Sequence, residues 1–210
     1  MPNACAAACA LDIFVNLLAH LLIAEHTDTS FAGQILGDEI KGRLDDRFAP
    51  TIRHGIRLHR AIDGHSDAHS AHRRLRNRFD APLRRYAGIL VDIGLDHALA
   101  RAWPQFHDRP LEAFARYAQR RVIDEWPSQA PFAATRLQGL ETILVGYRAP
   151  QGIQRALDSV AHRLRRDNPV AAALPALEAQ KAAFDQEIAL IMRDLYDVIS
   201  CIDRTPRADA

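Results

Sequence analysis

Pro50-Thr51-Ile52-Arg53-His54-Gly55-Ile56-Arg57-Leu58-His59-Arg60-Ala61-Ile62-Asp63 reads as a helix from its first residue. Proline suits the first turn, where a missing amide costs little. Ile52, Ile56, His59 and Asp63 then follow at steps of four, three and four, which stacks them on one face. Two polar groups therefore extend an apolar stripe. Gly64 is the expected bend, and Ala68–Phe79 continues helically with an Arg-rich surface.

The same period runs in both directions from this stretch. Leu11, Val15, Leu18 and Leu22 mark a first helix that ends near Glu25–Ser30. A short segment, Phe31–Ile40, is bracketed by Gly33, Gly37 and Gly42. Pro82 opens a helix through Leu83, Tyr86, Leu90 and Ile93 to about Trp103. Leu111–Trp126, Pro131–Tyr147 and Gln151–Leu164 are further amphipathic segments, each set off by proline or glycine. A last helix spans about Ala171 to Ile202, with a kink expected at Pro175. No useful β alternation interrupts them, and Ala and Leu dominate. The expectation is one all-α domain over residues 15–204, with a frayed tail at 205–210.

The 210 residues are 48% hydrophobic and 25% charged, which excludes a disordered chain. Lys+Arg 27 against Asp+Glu 26 gives a net charge of +1, so a nucleic-acid binder is not expected. The distribution is less even. Thr51–Arg85 carries nine Arg against Asp63, Asp67 and Asp80, a local balance of +6. Cys5, Cys9 and Cys201 form neither a disulfide framework nor a zinc pattern, which points to a reducing cytoplasm. The run Ala4–Ala24 is strongly apolar but lacks the basic start of a signal peptide. It also carries Asp12, Asn16 and His20 at four-residue steps, a stripe too costly for an ordinary membrane span. It reads as a buried helix whose polar face meets something inside, and no membrane association is expected.

His and Asp recur within these apolar helices. His59 and Asp63 share one face, Asp92 and Asp96 repeat the spacing with His97 next to them, and Asp38 and His20 lie on two other segments. Imidazoles and carboxylates converging from several helices can hold a divalent metal. Gathering the carboxylates without a cation would be strongly unfavourable. Either they are apart or a cation sits among them.

Four motifs in order resemble those of the acyl carrier protein phosphodiesterases. Asn16-Leu17-Leu18-Ala19-His20-Leu21 is similar to that family's N-[FY]-L-A-H-L. Gly33-Gln34-Ile35-Leu36-Gly37-Asp38 resembles G-N-x-x-x-D, with Gln34 in place of Asn. Gly55-Ile56-Arg57-Leu58-His59-Arg60-Ala61-Ile62-Asp63 resembles G-I-x-x-H-R-x-I-D, followed by Asp67. Asp92-Ile93-Gly94-Leu95-Asp96-His97-Ala98-Leu99 resembles D-x-x-x-D-H-x-L, with Trp103 beyond it. Val15 stands where the family's initiator methionine would be, so residues 1–14 are expected to be a leader that is not native, the alternative being a genuine extra helical turn that carries Asp12.

The resemblance implies a distorted HD-type metal phosphohydrolase fold. It implies hydrolysis of the serine phosphodiester of holo-acyl carrier protein, giving apo protein and 4′-phosphopantetheine. It also implies a divalent metal, Mn²⁺ or else Mg²⁺, held by His20, Asp38, His59, Asp63, Asp92 and Asp96. Asp38, His97 and Arg60 are the expected catalytic groups. His97 would protonate the departing serine oxygen, since imidazole titrates near neutrality. Arg60 would fork a phosphate oxygen. Acyl carrier protein is small and acidic, so Arg73, Arg74, Arg76 and Arg78 are expected to dock it. Two rivals stand beside this reading. One is an HD-type hydrolase of a nucleotide or other small phosphodiester, which needs no outer basic patch. The other is a non-catalytic helical module that binds an acidic partner.

Overall fold

The computed structural model describes residues 16–164 and 166–203, with side chains as far as residue 200. The leader at 1–14 and the tail at 205–210 lie outside the described residues. Among these residues there are ten α-helices, linked in places by 3-10 turns, and no strand. The helices are α1 (Leu17–His26), α2 (Phe31–Glu39), α3 (Pro50–Ala68), α4 (Ser70–Arg76) and α5 (Ala87–Arg101). They continue with α6 (Leu111–Glu125), α7 (Leu140–Gly146), α8 (Pro150–Arg163), α9 (Leu174–Ala179) and α10 (Lys181–Asp203).

Two helices form the centre. Every residue of α1 from Leu17 to Ala24 is buried, and α5 is buried from Ile93 to Ala100. A helix that is apolar on all sides must be covered on all sides, which is why the first segment resembles a membrane span in sequence. No described helix is long and apolar enough to cross a membrane. Around the pair, α2 and α3 pack on α1, α4, α8 and α10 pack on α5, and α6 packs on α2. The peripheral helices are amphipathic. For example, α10 buries Phe184, Ile188, Ile191, Met192 and Leu195 and leaves its polar face to solvent.

The contact between α2 and α3 positions most of the site. A Cβ on Gly33 would lie 2.8 Å from both Gly55 Cα and Ile52 O, and one on Gly55 would lie 2.9 Å from Gly33 Cα. The two backbones therefore touch where only glycine fits on either side. Ala32, Leu36, Ile40, Phe48, Ile52 and Ile56 close a second small core beside this crossing.

Several boundaries differ from the sequence expectation. Asn16 has a left-handed backbone, φ 60°, so α1 begins at Leu17 and Asn16 does not share its helix with His20; Leu11, Asp12 and Val15 lie outside the described residues. Gly64 does not bend α3, which runs on to Ala68. The break comes at His69, whose extended backbone ends α3 and whose Nδ1 accepts from the Ala71 amide to start α4. Its Nε2 lies 3.1 Å from Asp194 on α10, anchoring the corner. Leu83–Tyr86 forms a 3-10 turn before α5, and Pro131–Tyr147 resolves into a loop, a 3-10 turn and the short α7. Pro175 kinks nothing. It sits in the first turn of the short α9, and the chain breaks again at Gln180 before α10.

Candidate metal centre

A cavity of about 140 Å³ opens where α1, α2, α3, α4 and α5 meet. Asn16, Asp38, His59, Asp63, Ser66, Asp67, His72 and Asp92 line it. Asp38 comes from the last turn of α2; His59, Asp63, Ser66 and Asp67 come from α3. One donor atom each from His20, His59 and Asp63 lies within 4.8 Å of the other two.

The Asp63 carboxylate bridges two imidazoles. Its Oδ1 is 3.1 Å from His20 Nε2 and its Oδ2 is 3.0 Å from His59 Nε2. The rings are stacked with centroids 4.2 Å apart. On the far side of His20, Nδ1 is 3.0 Å from Gln34 Oε1. With Nδ1 donating there, Nε2 would be the nitrogen left to present a lone pair to an ion held at Asp63, the arrangement that ligating histidines favour. Gln34 thus acts on His20 from behind, outside the cavity lining.

His59 is held differently. A Cβ on Gly37 would fall 2.2 Å from His59 Cγ, so the ring fills the space that the missing side chain leaves on α2. Its Nε2 approaches Asp63 Oδ2 at 3.0 Å and Asp38 Oδ1 at 3.5 Å. Neither contact has hydrogen-bond geometry, and both ring nitrogens are buried without a hydrogen-bond partner. Orphaned buried nitrogens are costly. A nitrogen aimed between two carboxylates but aligned with neither fits a cation among them.

The electrostatics agree. Burial alone would lower the His59 pKa, but the Asp38 and Asp63 carboxylates raise it to about 9. Burial would raise Asp63, yet the His20 and His59 imidazoles hold it well below the usual carboxylate range. Negative charge concentrated here retains a proton in the ion-free protein, and a divalent ion would displace that proton. The donor set of imidazole and carboxylate, with no thiolate, suits a divalent ion.

Of the expected ligands, His20, Asp38, His59 and Asp63 are brought together and Asp92 lines the same cavity. Asp92 faces His72, with Oδ1 3.1 Å from His72 Nε2; burial pushes its carboxyl upward against that imidazole.

Asp96 is placed elsewhere. It is fully buried, and its two carboxylate oxygens accept from the Leu18 and Ala19 amides at 2.9 and 3.1 Å. It caps the N-terminus of α1, where Asn16 provides no side-chain bond. His97 does not line the cavity either. Its Nδ1 donates to the Tyr147 carbonyl at 2.6 Å, its Nε2 is 3.7 Å from Glu178, and burial lowers its pKa. Arg60 donates to the Gly42 and Ile40 carbonyls and pins the turn after α2, so its fork is already occupied.

His72 was missed. It sits on the Ala71–His72–Leu75 face of α4, buried opposite the exposed Arg73 and Arg74. An imidazole at an apolar position of an arginine-rich helix was the available signal. Ser66 was likewise unmarked, in the last turn of α3.

The arginine face is also rearranged. Arg74 forks Glu187 on α10 with two bonds of 2.9 Å, and Arg78 donates to Gln180. Arg76 pairs with Asp67 at 3.2 Å. Arg73 and Arg76 join Arg84 and Arg85 around a second cavity of about 420 Å³ at the start of α5.

No solved structure matches this one. Relatives in sequence are clear. The acyl carrier protein phosphodiesterase of Escherichia coli O157:H7 (strain EC4115 / EHEC) is 34% identical over 174 residues, covering 81% of this chain and 90% of the relative. That of Escherichia coli O139:H28 (strain E24377A / ETEC) is 36% identical over 155 residues, covering 72% and 80%. The family model described as acyl carrier protein phosphodiesterase matches residues 15–195, a span that takes in every cavity residue named above. The chain belongs to the acyl carrier protein phosphodiesterase family.

Proposed function

We propose that this protein hydrolyses the phosphodiester joining 4′-phosphopantetheine to the serine of holo-acyl carrier protein, releasing 4′-phosphopantetheine and the apo protein. The observation that carries the reading is the convergence of His20, His59 and Asp63 on one point, with the buried His59 Nε2 left without a hydrogen bond. His20, Asp38, His59 and Asp63 would hold Mn²⁺ or Mg²⁺ on an all-α scaffold of the distorted HD type. When bound, the ion supplies positive charge for the anionic diester and a nucleophile usable at neutral pH.

The chain's own residues do the rest. Gln34 orients His20, and Gly37 gives His59 its seat. Asn16 and Ser66 offer neutral hydrogen bonds for phosphoryl oxygens at the cavity wall. His72, held by Asp92, takes the role expected of His97, because it faces the cavity and His97 does not. Its imidazole is suited to protonate the departing serine oxygen. The acidic partner is met by arginines outside the cavity, and a carrier-protein substrate fits a reducing cytoplasm.

The test is incubation of the purified protein with holo-acyl carrier protein and Mn²⁺, with and without EDTA, read by intact mass. Loss of the prosthetic group that needs metal and disappears in Asp63→Asn is the expected result. Cleavage of a generic diester without attack on the holo protein would move the substrate to a small molecule. No cleavage and no metal binding would leave the binding module.

A further inference from the structure

The basic cavity is contiguous with the metal centre. On α4, His72 lines the first cavity and Arg76, four residues on, lines the second. On α5, Asp92 lines the first and Gly88, four residues earlier, lines the second. Four residues of helix rise about 6 Å. Both helices therefore pass from one cavity to the other in a single turn, and Arg76 of the second cavity pairs with Asp67 of the first at 3.2 Å.

The charge at the second cavity is largely uncommitted. Among the described residues, Arg73 and Arg84 have no ion-pair or hydrogen-bond partner for their guanidinium groups, and Arg85 only leans over the Tyr86 ring at 5.2 Å. Arg76 alone is paired, with Asp67 at the rim of the metal centre. Ala87 and Gly88, at the start of α5, line the same space. Four guanidinium groups held together repel one another, which is tolerable on a surface that regularly meets negative charge. By contrast, Arg74 of the same stretch is tied to α10 and Arg78 to Gln180 just before it, and neither is free to serve a partner.

We propose that the groove of Arg73, Arg76, Arg84 and Arg85 is the docking site for the acidic protein that carries the phosphodiester, seating its carboxylates one helical turn from the metal centre. The proposal rests on the function proposed above and makes it specific. It moves docking away from Arg74 and Arg78, and it separates recognition of the carrier from recognition of the phosphate. Forked guanidinium groups match carboxylates in two-point contacts. The open groove accommodates side chains from a protein surface, whereas the narrower first cavity takes the diester alone.

The experiment compares the Mn²⁺-loaded full chain with Arg84→Glu/Arg85→Glu and with Arg74→Gln. KM and kcat are measured on holo-acyl carrier protein, turnover on bis(p-nitrophenyl) phosphate, and binding of apo-acyl carrier protein by fluorescence anisotropy at 50 and 300 mM salt. The double variant should raise KM on the holo protein at least tenfold, leave the small diester within twofold, and lose salt-sensitive binding of the apo protein. Arg74→Gln should stay within twofold throughout. A double variant with unchanged KM and apo-protein binding overturns the groove, as does equal loss in Arg74→Gln. The two readings also fail separately. Wild-type protein that binds the apo protein through these arginines yet leaves the holo protein intact would refute the hydrolysis and keep the groove. Wild-type protein that cleaves the holo protein but never binds the apo protein would refute the groove and keep the hydrolysis.

Discussion

Replacing Asp96 with alanine removes the group that receives both the Leu18 and Ala19 amides at the start of a helix with no other cap. Loss of an N-cap costs about 0.5–2 kcal/mol, and each amide left buried and unsatisfied costs about 1–3 kcal/mol. Together these place the loss at about 4 kcal/mol, or roughly 12 °C in Tm for a chain of this size. Asp96→Asn is more informative. It keeps one acceptor and cannot ionise. In the native protein burial outweighs the two amides and raises the Asp96 carboxyl from 3.8 to about 7. A raised acid favours the protonated native state, so its contribution is complete below about pH 4 and is lost as pH rises through 7. About three units at 1.36 kcal/mol each come to about 4 kcal/mol. Wild-type stability relative to Asp96→Asn should therefore fall by about that amount between pH 4 and pH 8, reversing the order of the two proteins, read by urea unfolding with an unchanged m-value. Metal affinity of the folded Asn variant, measured by calorimetry at 10 °C, should stay within threefold of wild type, whereas Asp63→Asn should lose at least a hundredfold. An Asn variant that melts like wild type at every pH but binds metal as poorly as Asp63→Asn would make Asp96 a ligand and refute the capping argument.

Gly37→Ala should drive the new methyl into the His59 ring, cost about 1–3 kcal/mol, and lower metal affinity more than tenfold; calorimetry showing wild-type affinity would mean the ring has another seat. For EDTA-treated protein, the raised His59 pKa predicts stability that is complete below about pH 6.5 and declines as pH rises toward 9. The same proton must leave when metal binds, so affinity should climb over that window, with proton release seen in a weakly buffered indicator assay. Arg60→Met should free the Ile40–Gly42 turn and speed proteolytic nicking there while kcat on the holo protein falls less than fivefold; a hundredfold loss would return Arg60 to the chemistry.

The helical class and most of the cavity were legible because period and motif spacing are local properties of the chain. Spacing puts His59 and Asp63 on one face of α3, and the structure keeps them there. It could not separate Asp92 from Asp96, which share a face of α5 one turn apart. One turn along the helix is enough to carry the carboxylate out of the cavity and onto the end of α1, nearly eighty residues away in the chain. His97 and Arg60 lie outside the cavity lining for a related reason. Each has the right chemistry for catalysis, but the groups that claim it are the Tyr147, Ile40 and Gly42 carbonyls, and backbone acceptors leave no mark in sequence. His72 escaped notice because its partner Asp92 lies on the next helix, beyond the reach of any spacing rule. The failed boundaries at Gly64 and Pro175 show the same limit: glycine permits a bend and proline permits a start, but neighbouring helices decide which occurs.

The glycine-to-glycine crossing of α2 and α3 also bears on the order in which the site is assembled. Asp38, His59 and Asp63 all belong to one hairpin spanning residues 31–68, whose contacts are close in the chain. Short-range contacts of this kind close quickly, since little loop entropy must be overcome. His20 arrives from α1, whose first amides are met by Asp96 from α5. Three donors are thus set by a local hairpin and the fourth by the longest-range capping bond in the site. A metal ion captured early would meet a half-built site of three donors, and completion of the set would report that the centre of the domain has closed.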